Sequence, residues 1–246
     1  MRAFQWYLEV SSSSGFKSRL VHLWFYIRIA MENNKEIIIV FASHADDETI
    51  GCGATIAKYA NQGKKVITVI FSSGENSSPW LRKEYLTETR KEEVKKISVF
   101  LGSKQTIFFG LKDMHLTEEI ENPRVKKAVI NIIKHFKPTS IFTHSKYDPH
   151  KDHRAANKVV FDALYECDKK YKINVYVFEV WNVLNELKPR MYIDVSDTFG
   201  KKIQAMKKFK SQWLYVYLLI IPVIIRAVFS GFHAKCRFAE RFYKIR

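Results

Sequence analysis

Residues 37–53, IIIVFASHADDETIGCG, decide the fold of this chain. Their apolar, largely β-branched beginning predicts a buried strand, and two glycines further on begin a helix predicted over residues 53–61. Between strand and helix lie four ionisable side chains, those of His44, Asp46, Asp47 and Glu48. Because ligands of open α/β sheets bind at the carboxyl ends of strands, we expect chemistry at this point. The alternative is a strand-to-helix turn in which the carboxylates stabilise the helix N-terminus.

A second polar cluster has the same setting. Residues 143–154, THSKYDPHKDHR, follow an apolar β-like run over residues 139–142 and precede a helix-like run over residues 155–166. Two strand ends that each carry histidine and aspartate can converge on one ion. The pair of clusters therefore favours a site over a simple capped turn.

The residue types in the two clusters indicate a metal site. His44, Asp47 and His153 would supply two nitrogens and one carboxylate oxygen, a ligand set typical of catalytic zinc with one position open for water. Side chains of neighbouring residues diverge in an extended segment, so Asp46 cannot easily share the ion with Asp47. Asp46 is therefore the candidate general base, which takes a proton from water and later gives one to the leaving group.

The two clusters also resemble the motifs of a known family. Residues 44–48, HADDE, are similar to the His-Pro-Asp-Asp-Glu motif of the PIG-L/LmbE-type zinc-dependent N-deacetylases, and residues 150–153, HKDH, resemble their His-x-Asp-His motif. The resemblance covers about residues 36–212. Further matches occur in order, at Gly53, residues 73–75, Arg90, Glu93, residues 101–102 and Asp113, with a fainter echo at Gly231 and residues 239–242. Ala45 stands where the family has proline, which is expected to loosen the loop without removing a ligand.

The resemblance implies zinc-dependent hydrolysis of the N-acetyl amide of an N-acetylglucosamine-containing substrate, with release of acetate and a free amine. It implies that His150 stabilises the tetrahedral oxyanion as an imidazolium and that Asp152 orients it; an exposed loop histidine is the alternative. Arg90 and Asp113 match family positions near the sugar or in the scaffold. Three further residues are expected to support the site or to be structural only: Glu48, His144 and Asp148.

Strands and helices alternate along the chain, which predicts an α/β fold with a Rossmann-like, mostly parallel sheet and helices on both faces. The predicted strands are residues 36–42, 65–71, 105–109, 139–143 and 173–178, with an edge strand at 191–195. The predicted helices are residues 53–61, 80–100, 122–136, 153–166 and 198–210. We expect one domain with two extensions: a basic amphipathic segment (1–34), the deacetylase-like domain (35–212), and an apolar, basic segment that completes it (213–246). No Gly-x-Gly-x-x-Gly follows the first strand, so nothing supports dinucleotide binding.

The positive charge is concentrated at the two ends of the chain. Of a formal net charge of +16, residues 1–30 hold +3 and residues 199–246 hold +10. Residues 16–31 have apolar side chains at helical spacing and basic flanks, which predicts an amphipathic helix. This helix packs on the domain, lies at a membrane interface, or belongs to an extension ahead of a start at Met31.

A second apolar segment lies near the C-terminus. Residues 213–225, WLYVYLLIIPVII, carry no charge, and lysines and arginines flank them on both sides. A helix that spans a bilayer needs about 20 apolar residues, and Pro222 and Arg226 interrupt this run. A cationic setting favours an anionic lipid surface as the partner. A buried helix, an interface with a second copy in a homo-oligomer, and a β-hairpin are the alternatives.

These features limit the partners and the place of action. The expected partner is an N-acetylated amino sugar, carried on a lipid or presented at an anionic membrane surface. No nucleic-acid partner is expected. Three widely spaced cysteines suit a reducing compartment, so we expect a cytoplasmic protein at the inner face of the membrane or free of it. Two rivals are a basic nucleic-acid-binding protein, whose affinity would fall steeply with salt, and a membrane-surface protein that kept the fold but lost catalysis.

Overall fold

Seven strands form one sheet, in the order β3–β2–β1–β4–β5–β7–β6. The strands are β1 (Ile37–Ala42), β2 (Lys65–Ser72), β3 (Gln105–Leu111), β4 (Ser140–Thr143), β5 (Asn174–Val177), β6 (Arg190–Asp194) and β7 (Ala239–Lys244). The first five pair in parallel, and β7 runs antiparallel to both of its neighbours. This computed structural model describes residues 36–76, 82–180 and 189–246. The helix predicted over residues 16–31 lies outside them.

Seven α-helices lie in the described part of the chain. They are α1 (Asp47–Asn61), α2 (Lys83–Leu101), α3 (Leu116–Glu119), α4 (Pro123–Phe136), α5 (Lys151–Cys167), α6 (Phe199–Met206) and α7 (Trp213–Ala234), the last preceded by a 3₁₀ turn, Lys210–Gln212. The predicted α/β fold with a mostly parallel sheet is therefore confirmed. Helices cover both faces of the sheet, as the uninterrupted apolar strands require.

Helix α1 contains the predicted helix over residues 53–61 and extends it by six residues at its N-terminus, across a kink at Cys52 (φ −144°, ψ 22°). The helix begins at Asp47 because the carbonyl of Asp46 already accepts hydrogen bonds from the N–H groups of Thr49 and Ile50. The glycine at position 51 serves packing instead, since a Cβ there would lie 2.3 Å from the ring of Phe178. The polar motif thus forms the first turn of the helix rather than a loop in front of it.

Strand β1 shows how the sheet divides the core. Ile38 and Val40 belong to the core on the side of α1, α2, α6 and α7, whereas Ile39 and Phe41 belong to the core on the side of α3, α4 and α5. All four side chains are buried. This alternation with a period of two residues buries both faces of the strand.

The site is positioned by the reversal of strand order at β1. The chain first builds outward from β1 to β2 and β3, and then returns to place β4 on the other side of β1, with Val40 opposite Phe142. Loops that leave the carboxyl ends of two such strands diverge and leave a crevice between them. The two polar clusters follow β1 and β4, so the topology brings them to this crevice.

The C-terminal part of the chain does not form the β-hairpin considered from the sequence, and it contains a strand that was not predicted. Residues 213–225 lie in helix α7, not in a β-hairpin, and the helix passes through Pro222 without ending. By length and composition, residues 210–234 could cross a membrane: an 18-residue stretch within them has a mean hydropathy of 2.0 and is 28% buried. Strand β7 was not predicted from the sequence, because its residues AERFYK show no alternation of apolar and polar side chains.

A buried carboxylate joins β7 to α1 and α6. Glu240 accepts hydrogen bonds from the N–H groups of Ala54 (3.2 Å) and Thr55 (2.7 Å) and from the ammonium of Lys202 (2.5 Å), and both charged side chains are buried. We expect Glu240→Leu to lower the free energy of unfolding by about 3–5 kcal/mol, because it leaves a buried ammonium without its partner. Urea denaturation measures this loss. The double variant Lys202→Met/Glu240→Leu should recover part of it; no recovery would contradict the role of the ion pair.

Candidate active site

The carboxyl ends of β1 and β4 bring the two polar clusters together. His44 follows β1 by two residues, Asp47 begins α1, and His153 lies in the first turn of α5. The backbone N–H of Ser43 donates to Nε2 of His144 across the strand boundary, at 2.9 Å. The convergence predicted from the two strand ends is therefore what the fold produces.

The carboxylate of Asp47 lies at the centre of this cluster. Its Oδ2 accepts a hydrogen bond from the backbone N–H of His44 (2.8 Å) and lies 3.3 Å from His44 Nδ1 and 3.4 Å from His153 Nε2. Burial alone would raise the pKa of Asp47, but the charge of His153 holds it well below its usual range. An ionised, buried oxygen between two imidazole nitrogens is a suitable donor set for a divalent cation.

The surroundings of His153 show most directly that this cluster suits a metal ion. The side chain is fully buried, and its Nε2 makes no hydrogen bond within the described residues. On the other side of the ring, Nδ1 lies 3.0 Å from Oδ1 of Asp148. Burial lowers the pKa of His153, yet Asp47 and Asp148 raise it to about 9. A carboxylate behind one ring nitrogen, with the other nitrogen aimed at a donor cluster, is how proteins orient histidines toward metals.

His144 lies equally close to Asp47, but its Nε2 already accepts another hydrogen bond. Its Nε2 is 3.4 Å from Asp47 Oδ2, and Asp47, His144 and His153 could together hold an ion. However, the same Nε2 accepts the N–H of Ser43, so its lone pair is already used. Burial and the charge of His153 also lower the pKa of His144 to about 4, which keeps it neutral. The geometry therefore favours His44 over His144 as the second nitrogen donor.

The far side of His44 faces two carboxylates. Its Nε2 lies 3.2 Å from Asp113 Oδ1 and 3.3 Å from Asp152 Oδ2, and the latter oxygen also accepts the N–H of Met114 at 2.8 Å. Burial lowers the pKa of His44, but these carboxylates and Asp47 together raise it well above its usual value. The arrangement places the proton of His44 on Nε2 and turns Nδ1 toward Asp47.

Asp152 was expected to orient the ring of His150, but its carboxylate contacts a different histidine. The carboxylate of Asp152 faces His44, and only its backbone N–H reaches His150, donating to Nδ1 at 3.2 Å. His150 is the N-cap of α5, a position at which a side chain accepts an N–H from the first turn. With Nδ1 as acceptor, the ring carries its proton on Nε2. Burial and the charge of His153 lower the pKa of His150, so the structure favours a neutral donor over the predicted imidazolium.

The candidate general base lies beside the donor cluster. Asp46 lines the same cleft as His44, Asp47 and His153. Burial and the neighbouring charge of Asp47 raise the pKa of Asp46 to about 6. A carboxyl with this pKa is ionised at neutral pH and is far more basic than an ordinary aspartate, which suits proton transfer.

The cleft itself measures about 360 Å³. Its lining residues are His44, Asp46, Asp47, Gly74, Asn76, Arg90, Asp113, Met114, His150, His153, Gln212 and Tyr215. Arg90 is fixed in the wall because its Nη1 donates to the carbonyls of Ser73 and Gly74, at 2.8 and 2.5 Å. A side chain at Gly74, whose φ is +71°, would lie 2.2 Å from this nitrogen. Arg90 and Asp113 both line the cleft, and their role in substrate binding stays a prediction.

Five lining residues were not predicted as site residues from the sequence: Gly74, Asn76, Met114, Gln212 and Tyr215. Asn76 could have been found, since it follows β2 at the same edge of the sheet and its N–H donates to Asp113 at 2.9 Å. Gln212 and Tyr215 come from the distant C-terminal segment, where no local motif marks them. The amide of Gln212 donates to the carbonyl of Ala45 at 3.0 Å, so this segment directly contacts the loop of the first motif.

The supporting residues lie around the cluster. Asp148 contacts His153, and His144 packs against it with ring centroids 4.0 Å apart. Glu48 is buried, accepts the hydroxyl proton of Thr49 at 2.8 Å, and has its pKa raised to about 8 by burial. Glu48 therefore lies behind the donor cluster and does not line the cleft.

The chain is similar in sequence to a known family and to individual proteins. The family described as "PIG-L: GlcNAc-PI de-N-acetylase" matches residues 39–164, just over half of the chain. The chain is 25% identical over 193 residues to the probable N-acetyl-alpha-D-glucosaminyl L-malate deacetylase 2 of Bacillus anthracis, covering 74% of this chain and 84% of the relative. It is 24% identical over 213 residues to the diacetylchitobiose deacetylase of Thermococcus kodakarensis, covering 80% and 78%.

Solved structures show the same fold. The N,N'-diacetylchitobiose deacetylase of Pyrococcus horikoshii superposes with a TM-score of 0.72 at 21% identity, over 87% of this chain and 85% of that one. The 4-carboxy-2-hydroxymuconate hydratase GalB of Pseudomonas putida also has a TM-score of 0.72, at 19% identity, over 86% and 96%. Since a hydratase and a deacetylase share this fold, the reaction must be argued from the side chains in the cleft.

Proposed function

The chain belongs to the PIG-L family of de-N-acetylases, and from that premise we propose that it removes the acetyl group from an N-acetylglucosamine unit carried on a lipid, with zinc as its metal. The general class, an N-deacetylase of metal-dependent type, follows from the family and from the relatives that match the chain. The carrier of the sugar and the identity of the ion are the proposal. The observation that carries it is that nitrogens of His44 and His153 lie 3.3 and 3.4 Å from one carboxylate oxygen of Asp47 in the cleft, which Asp46 also lines.

His44, Asp47 and His153 would hold the ion. A zinc ion at this position supplies Lewis acidity toward the amide carbonyl and toward water. Two carboxylates would orient the histidines toward the ion: Asp148 lies next to Nδ1 of His153, and Asp152 lies next to Nε2 of His44. These two contacts determine which nitrogen of each ring is free to bind the metal ion.

Asp46 and His150 carry the proton chemistry. Asp46, with its raised pKa, takes the proton from the attacking water and delivers it to the nitrogen of the departing amine. His150 also lines the cleft and keeps a proton on Nε2, which can donate a hydrogen bond to the carbonyl oxygen as negative charge develops there. A neutral donor is sufficient for this role.

The sugar would lie along the wall opposite α7. Arg90 and Asp113 present a guanidinium and a carboxylate to the cleft, and sugar hydroxyls form hydrogen bonds with both kinds of group. The cleft is about 360 Å³, at the lower end of the range for sites that enclose a small ligand. It therefore suits one amino-sugar unit, with the remainder of the substrate outside. The charge and apolar character of the C-terminal segment support a lipid as that remainder, reached at the cytoplasmic face of a membrane.

Acetate release tests the proposed function. The protein is expected to release acetate from an N-acetylglucosaminyl lipid in liposomes, to lose this activity after chelation, and to regain it best with zinc among divalent ions. A soluble N-acetylglucosamine disaccharide serves as the comparison substrate. Release from the disaccharide alone would contradict the lipid carrier. Release from neither substrate by the metal-loaded protein would overturn the proposed function and favour an inactive scaffold.

A further inference from the structure

Helix α7 presents a continuous apolar face to solvent. Of the sixteen large apolar or aromatic side chains that are exposed in the described residues, ten lie on this one helix. They are Trp213, Leu214, Tyr215, Tyr217, Leu218, Ile221, Ile225, Val228, Phe229 and Phe232. Single exposed apolar residues need no explanation, but a contiguous exposed patch marks a surface that binds a partner or a membrane.

The opposite side of α7 is fixed to the domain along its whole length. Val216, Val223 and Ala227 are buried and belong to the same core cluster as the sheet. Further along, Gly231 is buried so closely that a Cβ would lie 2.7 Å from the carbonyl oxygen of Cys236. A helix of 22 residues is about 33 Å long. Because one side packs on the domain over this length, the helix can lie flat on a surface but cannot cross a bilayer while the domain stays folded.

Positive charges surround the apolar face. Lys207, Lys208 and Lys210 are exposed immediately before α7, and Lys235 and Arg237 are exposed immediately after it. Residues 198–239 contain no aspartate or glutamate. An apolar helix face between exposed cations is complementary to an anionic lipid surface, where each nearby Lys or Arg contributes about 1 kcal/mol. A protein partner of this helix would need a matching acidic rim around an apolar groove.

The first turn of α7 is also part of the cleft. Tyr215 is exposed on the apolar face and lines the cleft, and Gln212 holds the carbonyl of Ala45 in the metal-binding motif. Just before them, the N–H and hydroxyl of Ser211 both donate to the carboxylate of Glu93 on α2. These contacts fix the position of the apolar face relative to the mouth of the cleft.

We propose that the exposed face of α7 docks on an anionic lipid bilayer, with the helix axis parallel to the membrane plane and the cleft opening at the lipid interface. Trp213, Tyr215 and Tyr217 then lie at the level of the headgroups, where amphipathic aromatic rings are enriched. The orientation of the cleft deepens the proposed function and rests on it, because an interface-facing cleft receives a sugar whose lipid tail remains in the bilayer. The docking itself depends only on the helix and its flanking charges.

Vesicle co-sedimentation of the full chain tests the docking. The wild type is expected to bind vesicles of phosphatidylglycerol and phosphatidylcholine, and to bind pure phosphatidylcholine much more weakly. Leu218→Asp/Phe229→Asp places two charges on the apolar face, at residues whose exposed fractions are 66% and 65%. We expect this variant to bind at least about tenfold more weakly, because burial of each apolar side chain in the interface is lost and repulsion is added. Val99→Asp, at a residue of α2 that is 75% exposed, is the matched control and should bind like the wild type.

Three results would overturn the docking proposal. The first is no binding of anionic vesicles by the wild type, and the second is equal binding by the double variant. The third is a wild-type dimer in light scattering that the double variant converts to a monomer without any vesicle binding, since a second copy then covers the face. Acetate release from the N-acetylglucosaminyl lipid and from the soluble disaccharide, measured on the same samples, separates the two proposals. Vesicle binding without acetate release from either substrate would overturn the deacetylase proposal and leave the docking in place.

Discussion

Asp46→Asn is expected to lower kcat for acetate release by about 10²–10⁴, the range typical for removal of a general base. Asparagine has nearly the same shape as aspartate but cannot accept the proton of water at neutral pH. Bound metal should remain at the wild-type level, because the donor cluster centres on Oδ2 of Asp47 and does not include Asp46. Steady-state kinetics and elemental analysis of the same preparation measure both quantities.

The control for this variant is Asp162→Asn, the same chemical change at a half-buried residue of α5 that does not line the cleft. Its activity should equal that of the wild type. Two outcomes would contradict the role of Asp46. Unchanged kcat would show that another group accepts the proton, and loss of the metal would make Asp46 a ligand. A normal unfolding midpoint in urea shows that the fold is intact.

His153→Ala is expected to remove the metal, and with it essentially all activity, whereas His144→Gln should keep the metal. The two rings lie 4.0 Å apart at their centroids and both reach Asp47, so proximity alone does not distinguish them. Their other contacts do. Nε2 of His144 accepts the N–H of Ser43, while Nε2 of His153 has no hydrogen bond in the described part of the chain. Glutamine at position 144 can accept the same N–H.

Metal affinity, measured by competition with a chromogenic chelator, is the quantity that separates the two variants. We expect His144→Gln to weaken binding by no more than about 10–100-fold, the usual effect of residues that support metal ligands. Stoichiometric metal in His153→Ala would contradict His153 as a ligand. No metal in His144→Gln at saturating zinc would favour the group of Asp47, His144 and His153. Circular dichroism of both variants checks that the sheet is retained.

The family and the proximity of the two polar clusters could be predicted from two short stretches of sequence. The family resemblance inferred from residues 44–48 and 150–153 is confirmed by the match over residues 39–164. These stretches are informative because each directly follows a strand, and neighbouring parallel strands end at the same edge of the sheet. Local sequence therefore implied a long-range contact, with Ser43 and His144 hydrogen-bonded across 101 residues.

The details that could not be predicted depend on side-chain direction and on distant segments. The sequence suggested that Asp152 orients its near neighbour His150, but the start of α5 turns the carboxylate toward His44. The wall of the cleft formed by Gln212 and Tyr215 comes from more than 160 residues beyond the first motif. Their position is set by tertiary packing of α7, which leaves no trace in the spacing of nearby residues.

The place of β7 in the sheet has a consequence for how the protein is made. This strand lies between β5 and β6, so those two strands have no common neighbour until residues 239–244 have been synthesised. Gln212, which donates a hydrogen bond to the carbonyl of Ala45, also leaves the ribosome long after the two polar motifs. A growing chain therefore carries both motifs well before it can hold them in their final geometry. The sheet, and with it the cleft, reaches its final geometry only after β7 has inserted between β5 and β6.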